Sequence, residues 1–242
     1  MGFRHAIREL LPPVALEALD VALRRPRFSG DYDSFEKALA ASRSYNNPEI
    51  AAAFASQQAP TTARLTSRVQ QLLAALAPVI AKRDRLSVLD VGGANGYYYH
   101  ALQPYLPPLE WTILETPEMA RACANGVIHY ATDVAELKPT FDVVLLSGVI
   151  QYLPDPYAAL ASFSRLAPYL ILNRLPLIER DWLTVQIVRT AAYTTSYPAW
   201  FLSESKMLSA LGTPLMRWDV PEDAPVFNHR RVTYQGMLVH TH

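Results

Sequence analysis

Three carboxylates and a serine stand where apolar runs end. Asp90 follows Leu86-Ser87-Val88-Leu89, Glu115 follows Trp111-Thr112-Ile113-Leu114, Asp133 comes shortly after Gly126-Val127-Ile128-His129-Tyr130, and Ser147 closes Phe141-Asp142-Val143-Val144-Leu145-Leu146. The first of them opens a glycine-rich stretch, Gly92-Gly93-Ala94-Asn95-Gly96, where backbone can approach a ligand closely. Carboxylates accept hydrogen bonds from hydroxyl and ammonium groups, so the set suits a ligand carrying several hydroxyls and an amine. A pyrophosphate would be repelled by three carboxylates. The glycine spacing agrees: a dinucleotide fingerprint counted from Gly92 needs glycines where Ala94 and Tyr97 stand, and no Gly-Lys-Ser/Thr follows. A nicotinamide-dependent oxidoreductase is therefore disfavoured, although it remains a distinct alternative.

The acids can act together only if the chain brings the run ends to one edge. Each run reads as a short strand, with helix-compatible segments between them: Pro117 suits the first turn of one helix, and Pro154 to Leu166 reads as another. Tyr169 to Asn173 is a fifth strand. This alternation predicts a parallel sheet covered on both faces, with the ligand beyond the carboxyl ends of the strands. Leu215–Val220 and Val232–His240 read as two further strands without a helix between them, hence antiparallel. The expected fold is thus an α/β, Rossmann-like, doubly wound seven-stranded sheet: five parallel strands plus a closing antiparallel pair.

The flanks are read with less regular structure. Residues 1–62 form an expected N-terminal helical cap, or a lid over the site, and residues 63–242 the main domain. Within the cap, Leu16, Leu19 and Leu23 share a helix face, Phe28 to Asp33 reads as a turn, Ser34 caps a helix from Phe35 to Ala41, and Pro48 starts a helix through Ala55. A long amphipathic helix from about Ala63 to Ala81 feeds into the glycine-rich strand. Ile178 to Ala192 and Ser203 to Leu211 also read as helices, separated by the aromatic-rich stretch Tyr193 to Phe201.

Composition bounds the partners. Half the residues are hydrophobic, and 22 basic residues balance 22 acidic ones. No global field attracts nucleic acid, and no basic stripe is present, so nucleic-acid methylation is disfavoured. Cys123 is the one cysteine, which excludes an internal disulfide and fits a reducing compartment. No secretory signal or apolar span is recognised, and a cytoplasmic protein is expected. No Cys/His spacing suggests a metal site. Oligomeric state is not legible.

The stretch Val88 to Gly96, followed by Glu115, Asp133 and the Ser147 strand, resembles the class I S-adenosylmethionine-dependent methyltransferases. A narrower resemblance rests on four motifs in order: Phe28-Ser29-Gly30-Asp31-Tyr32-Asp33-Ser34-Phe35-Glu36, Leu89-Asp90-Val91-Gly92-Gly93, Ser147-Gly148-Val149-Ile150-Gln151-Tyr152-Leu153 and Ser196-Tyr197-Pro198-Ala199-Trp200. They are similar to a family of bacterial methyltransferases without a general substrate assignment, some members of which lie among surface-polysaccharide genes.

The resemblance implies S-adenosyl-L-methionine as cofactor. Gly92, Gly93, Asn95 and Gly96 would line its methionine part, with Asp90 holding the ammonium directly or through water. Glu115, beside Thr116, would accept from the ribose hydroxyls; Asp133 would face the adenine amine, Val134 its ring, and Ser147 and Gly148 would complete the site. Ala94 departs from the superfamily's usual second glycine. The loop between the last two strands would open on the ligand edge, which makes His229 the candidate base, with Arg230 and Arg231 near the substrate. Tyr152 follows the fourth strand and Arg174 ends the fifth, where it could hold an acceptor carboxylate or phosphate. Gln151, Tyr193, Tyr197 and Trp200 would shape the acceptor site, the aromatics suiting a sugar face or planar ring. The expected reaction is methyl transfer to a small molecule, principally to an oxygen of a sugar, polysaccharide precursor or secondary metabolite. A cofactor-binding but inactive partner subunit is the alternative.

Overall fold

The computed structural model describes residues 27–43, 48–57, 65–81, 83–190, 193–221, 225–227 and 230–241. Its central strand is β2 (Leu86–Val91), whose side chains are buried on both faces. Alternate residues serve opposite layers, as the period-two geometry of a strand requires. Leu89 and Val91 enter one cluster with Val144, Leu146, Leu170 and Leu172, while Leu86 and Val88 enter another with Val143, Leu145 and Ile171.

The strands named in those clusters are β5 (Val143–Ser147) and β6 (Tyr169–Leu175); β3 (Leu109–Leu114) and β4 (His129–Ala131) lie on the other side of β2. β4, β3, β2, β5 and β6 are mutually parallel. The chain closes with β10 (Met216–Val220) and β13 (Tyr234–His240), which pair antiparallel, β13 also pairing antiparallel with β6. The sheet order is β10-β13-β6-β5-β2-β3-β4. Because β10 again points with the parallel set, its loop to β13 opens on the edge where β2, β5 and β6 end. That loop carries a short hairpin, β11 (Val226–Phe227) with β12 (Arg230–Arg231).

Helices cover the two faces. The capping hydroxyl of Thr66 accepts from Val69 N–H and starts the helix Ser67–Ile80, whose Val69, Leu72, Leu76 and Val79 form a buried stripe at three- and four-residue spacing. The helix Tyr97–Leu102 joins that layer. On the opposite face lie the helices Pro156–Phe163 and Glu204–Leu211, through Leu160, Phe163 and Met207. In chain order the helices are α1 (Phe35–Ala40), α2 (Pro48–Ala55), α3 (Ser67–Ile80), α4 (Tyr97–Leu102), α5 (Pro117–Cys123), α6 (Pro156–Phe163) and α7 (Glu204–Leu211). The bottom of β2 is fixed by Asp142, whose carboxylate accepts from Ser87 N–H at 2.8 Å, Ser87 Oγ at 3.0 Å and Arg83 Nε at 2.9 Å.

A second sheet departs from the sequence reading. Leu177–Ile178 (β7), Trp182–Arg189 (β8) and Thr194–Ser203 (β9) are strands, so the helix expected over Ile178 to Ala192 is not formed there. Residues 191 and 192 of that expected helix lie outside the described residues. Thr184, Val185, Ile187 and Val188 are β-branched and favour the pleated conformation. Leu183 and Val185 pack on Ala38, and Gln186 points to the other face. Phe28 to Asp33 is not a turn either. Arg27–Tyr32 is β1, the edge strand beside β8, and a register shift between Ser29 and Tyr32 absorbs the Gly-Asp pair that reads as turn. The sheet order is β1-β8-β9-β7.

The described part of the N-terminal cap is therefore a strand and two helices, with β1 built into a sheet whose other strands come from residues 177–203. The helix expected near Leu16 to Leu23 lies outside the described residues. The second sheet springs from the carboxyl end of β6: β7 follows Pro176, whose carbonyl accepts from Leu202 N–H at 2.9 Å. Asp181 ties it down by accepting from Tyr157 OH at 2.6 Å, Ser203 N–H at 2.7 Å and Lys206 Nζ at 2.7 Å. No helix among the described residues is long and apolar enough to cross a membrane.

Candidate functional site

The glycine turn begins where β2 ends. Gly92 N–H donates to Leu114 O at 2.9 Å, holding the turn against the end of β3. Gly93 has no room for a side chain, because a Cβ would lie 2.5 Å from Asp90 Oδ2. Gly96 sits at φ +75°, and a Cβ there would meet Ile128 Cδ1 at 2.3 Å. Between them Ala94 adopts φ 47°, a left-handed conformation that costs an L-residue roughly 1 kcal/mol. Two contacts hold it: its N–H donates to Glu115 Oε1 at 3.3 Å, and its carbonyl accepts from Tyr130 OH at 2.8 Å. The methyl group packs with Ile50, Ala51, Met119 and Cys123. The departure from glycine at this position thus gives α2 and α5 an apolar contact on the turn. Asn95 adds a polar one, its Nδ2 donating to Phe54 O at 3.2 Å.

Asp90 lies under the turn and is 1 % exposed. Its Oδ2 accepts from Trp111 Nε1 at 3.3 Å. Burial pushes its pKa up to about 8; the indole hydrogen bond opposes that shift and the nearby Glu115 charge adds to it. Glu115 is half-buried at the end of β3. Burial raises its pKa, while the N–H groups of Thr116 and Ala94 work against the rise. Oε2 accepts from Thr116 N–H at 2.8 Å and Oε1 from Ala94 N–H, which leaves each oxygen a further lone pair. Thr116 itself caps α5 by accepting from Met119 N–H. Asp133 and Val134 lie on the exposed turn after β4, where Asp133 accepts from Ala135 N–H at 2.8 Å.

A second group gathers at the ends of β5 and β6. Ser147 Oγ is 3.0 Å from Tyr98 OH and accepts from Asn173 Nδ2 at 3.4 Å, and Asn173 Oδ1 accepts from Trp218 Nε1 at 3.1 Å. Gly148 N–H donates to Asn173 O, and the absence of a side chain on Gly148 leaves space for the Arg174 guanidinium, which a Cβ would approach to 3.0 Å. Arg174 has φ 59°, uncommon for a long side chain. Gln151 is buried and its Nε2 donates to Arg174 O at 3.4 Å, while its Oε1 has no partner.

The second sheet enters through Tyr152. Its hydroxyl donates to Gln186 Oε1 at 2.9 Å, and its ring meets Tyr197 edge-on at 5.1 Å. Tyr193 packs on the Ala94 cluster, and burial raises its pKa. Trp200 packs between the second sheet and the main core and donates from Nε1 to Leu153 O at 3.2 Å. His229 lies outside the described residues. Among the described residues no group of three His, Cys, Asp or Glu could hold a metal.

Four supporting residues escape sequence reading. Tyr98, Tyr130, Trp111 and Gln186 are distant in sequence from the groups they hold. Only the period of Tyr97-Tyr98-Tyr99 on a helix opening offered a signal, and it does not distinguish which ring faces β5.

Residues 61–183, just over half the chain, match the model of a family described as a methyltransferase domain, Methyltransf_23. A comparison with curated proteins gives no match. Among solved structures, the chain is similar to CalS10, an amino pentose methyltransferase of Micromonospora echinaspora with bound S-adenosylmethionine, at 17% identity, covering 71% of this chain and 90% of that one with a TM-score of 0.45. It is also similar to an S-adenosylmethionine-dependent methyltransferase of Clostridium acetobutylicum, at 13% identity over 74% and 93% of the two chains with a TM-score of 0.49. The sugar N-methyltransferase KedS8 of Streptoalloteichus shows 15% identity over 70% and 85%, with a TM-score of 0.46. On the family match and the order and directions of the seven strands, the chain belongs to the class I S-adenosylmethionine-dependent methyltransferases.

Proposed function

We propose that the acceptor is a small molecule, methylated on an oxygen of a sugar, polysaccharide precursor or secondary metabolite. The cofactor, when bound, supplies an electrophilic methyl group on a sulfonium. The residues of the glycine turn fit its methionine part. Gly93 brings backbone against the Asp90 carboxyl with no side chain between them, and in this reading Asp90 holds the ammonium directly or through water. Glu115 retains lone pairs for the ribose hydroxyls. Asn95 and Thr116 steady the two turns around them, and Asp133 and Val134 take the adenine end.

The observation that carries the acceptor reading is the aromatic corner of Tyr152 and Tyr197, held by Gln186 where the second sheet meets the end of β5. Half-buried tyrosines present an apolar face and a polar tip, as a sugar ring requires. Gln151 and Arg174 stand next to them, and Tyr193 borders the glycine turn. In-line displacement draws much of its rate from positioning, which this enclosure supplies. His229, on the loop after β10, takes the acceptor proton. The N-terminal segment serves as the cap of the site through α2.

The test is calorimetry with S-adenosylhomocysteine and with NAD. We expect binding of the former alone, weakened about tenfold or more in Glu115→Ala. Equal affinity in that variant would remove the ribose assignment. Comparing methylated small molecules in cells with and without the gene then tests the acceptor class; an unchanged profile would remove it.

A further inference from the structure

The hydrogen bonds across the ends of β10, β6 and β5 have a fixed sense. An indole N–H can only donate, so Trp218 turns the Asn173 amide with Oδ1 toward itself and Nδ2 toward Ser147. Ser147 Oγ therefore spends one lone pair on Asn173. The Ser147 and Tyr98 hydroxyls carry two hydrogens between them, and their mutual bond at 3.0 Å consumes one. The other meets no protein acceptor among the described residues. Asn173 is fully buried, so the chain is anchored below, whereas Ser147 and Tyr98 are half-buried.

Charge selects what this hydrogen meets. The guanidinium of Arg174 lies over Gly148, directly beside Ser147. Burial raises the Tyr98 pKa, and the Ser147 hydrogen bond and the positive charges of Arg174 and Arg68 work against that rise, while Asp90 adds to it. An acceptor atom with negative charge is the complement of the two guanidinium groups.

We infer that the Tyr98–Ser147 hydroxyl pair, oriented by Trp218 through Asn173 and flanked by Arg174, reads an oxyanion on the acceptor, a carboxylate or phosphoryl group. The inference rests on the methyltransferase reading and narrows its acceptor to acidic or phosphorylated small molecules. Tyr98 and Ser147 are specificity residues in this scheme, and Trp218 and Asn173 are positioning residues.

The hydrogen count makes an unusual demand on mutants. Tyr98→Phe leaves the Ser147 hydrogen for the ligand, and Ser147→Ala leaves that of Tyr98, so either single variant keeps one donor. The double variant keeps none. Trp218→Phe frees the Asn173 amide to turn its oxygen toward Ser147 and use up the spare hydrogen from a distance.

S-adenosylhomocysteine affinity is measured first by calorimetry in the wild type and all variants. Saturation-transfer NMR on the loaded proteins then compares glucose 1-phosphate with glucose. With every variant saturated by S-adenosylhomocysteine at its own measured affinity, we expect a wild-type preference for the phosphate of about tenfold, most of it kept in both single variants and lost in the double variant. Trp218→Phe should fall below either single variant. Equal binding of glucose and glucose 1-phosphate by the wild type, or a full preference in the double variant, overturns the inference. A double variant that loses S-adenosylhomocysteine but keeps its decarboxylated analogue places the oxyanion on the cofactor and overturns the assignment to the acceptor. A wild-type protein that binds no S-adenosylhomocysteine refutes the underlying cofactor reading instead.

Discussion

Asp90→Asn should change the pH dependence of folding more than stability at any one pH. The carboxyl is buried beneath the glycine turn, with Trp111 as donor and Glu115 nearby, and its pKa is raised from 3.8 to about 8. A raised folded-state pKa means that the folded protein holds a proton which the unfolded chain has released. The associated stability is complete below the unfolded value, falls as pH rises through the window from about 4 to about 8, and is gone above it. Within the window the slope is about 1.4 kcal/mol per pH unit, so the step from about pH 5.5 to about pH 7.5 costs the wild type about 3 kcal/mol on this account. Asparagine keeps the shape and an oxygen for the indole but cannot ionise. Urea unfolding of both proteins at both pH values isolates the group, since other titrations cancel in the difference. The wild type should lose about 3 kcal/mol relative to Asp90→Asn between the two conditions. A flat difference would refute the reasoning, for it would mean that the carboxylate ionises as it does in water. Glu115→Gln removes a charge that raises Asp90, so in that background the window should shrink from its alkaline side.

Gly96→Ala should destabilise by about 2 kcal/mol or more, because it joins a left-handed backbone to a contact 2.3 Å from Ile128 Cδ1; a thermal midpoint equal to the wild type would show that the turn can move. Asp142 behaves oppositely to Asp90. Burial would push it up, but Ser87 N–H, Ser87 hydroxyl and Arg83 hold it below the usual carboxylate range. Its contribution is therefore present above the unfolded value of 3.8 and lost as pH falls through the folded one. Asp142→Asn should cost about 1–3 kcal/mol near neutrality and progressively less below about pH 4, as read from urea midpoints; a penalty that stays constant into acid would exclude the charge as its source.

The main sheet was legible because its strands are buried on both faces. Such strands are nearly continuous apolar runs, and the acids and glycines that end them mark the ligand edge. Asp90, Gly92 to Gly96, Glu115 and Ser147 could be placed on that edge from spacing alone, since a parallel sheet sets all its carboxyl ends on one side. The second sheet was not legible in the same way. Gly30 and Asp31 read as a turn, yet a bulge lets them sit within β1, and the β8 run could serve a helix or a strand until a partner was known. Strand pairing between Phe28 and Gln186 is a contact between distant residues, and no local preference encodes it.

Sequence by itself gave, through its motifs, the resemblance to the family, and it determined the antiparallel closing pair and the strand ends at which Asp90, Glu115 and Ser147 stand, because these depend on residue type and short-range period. Tertiary structure alone decided that Trp111 and burial hold Asp90 near pKa 8, that Tyr130 and Glu115 keep Ala94 left-handed, and that Trp218 orients the Ser147–Tyr98 pair. Those properties arise from groups meeting across separate elements in a poorly solvated interior, where the sense of a hydrogen bond or the proximity of a charge depends on the partner and not on the residue itself.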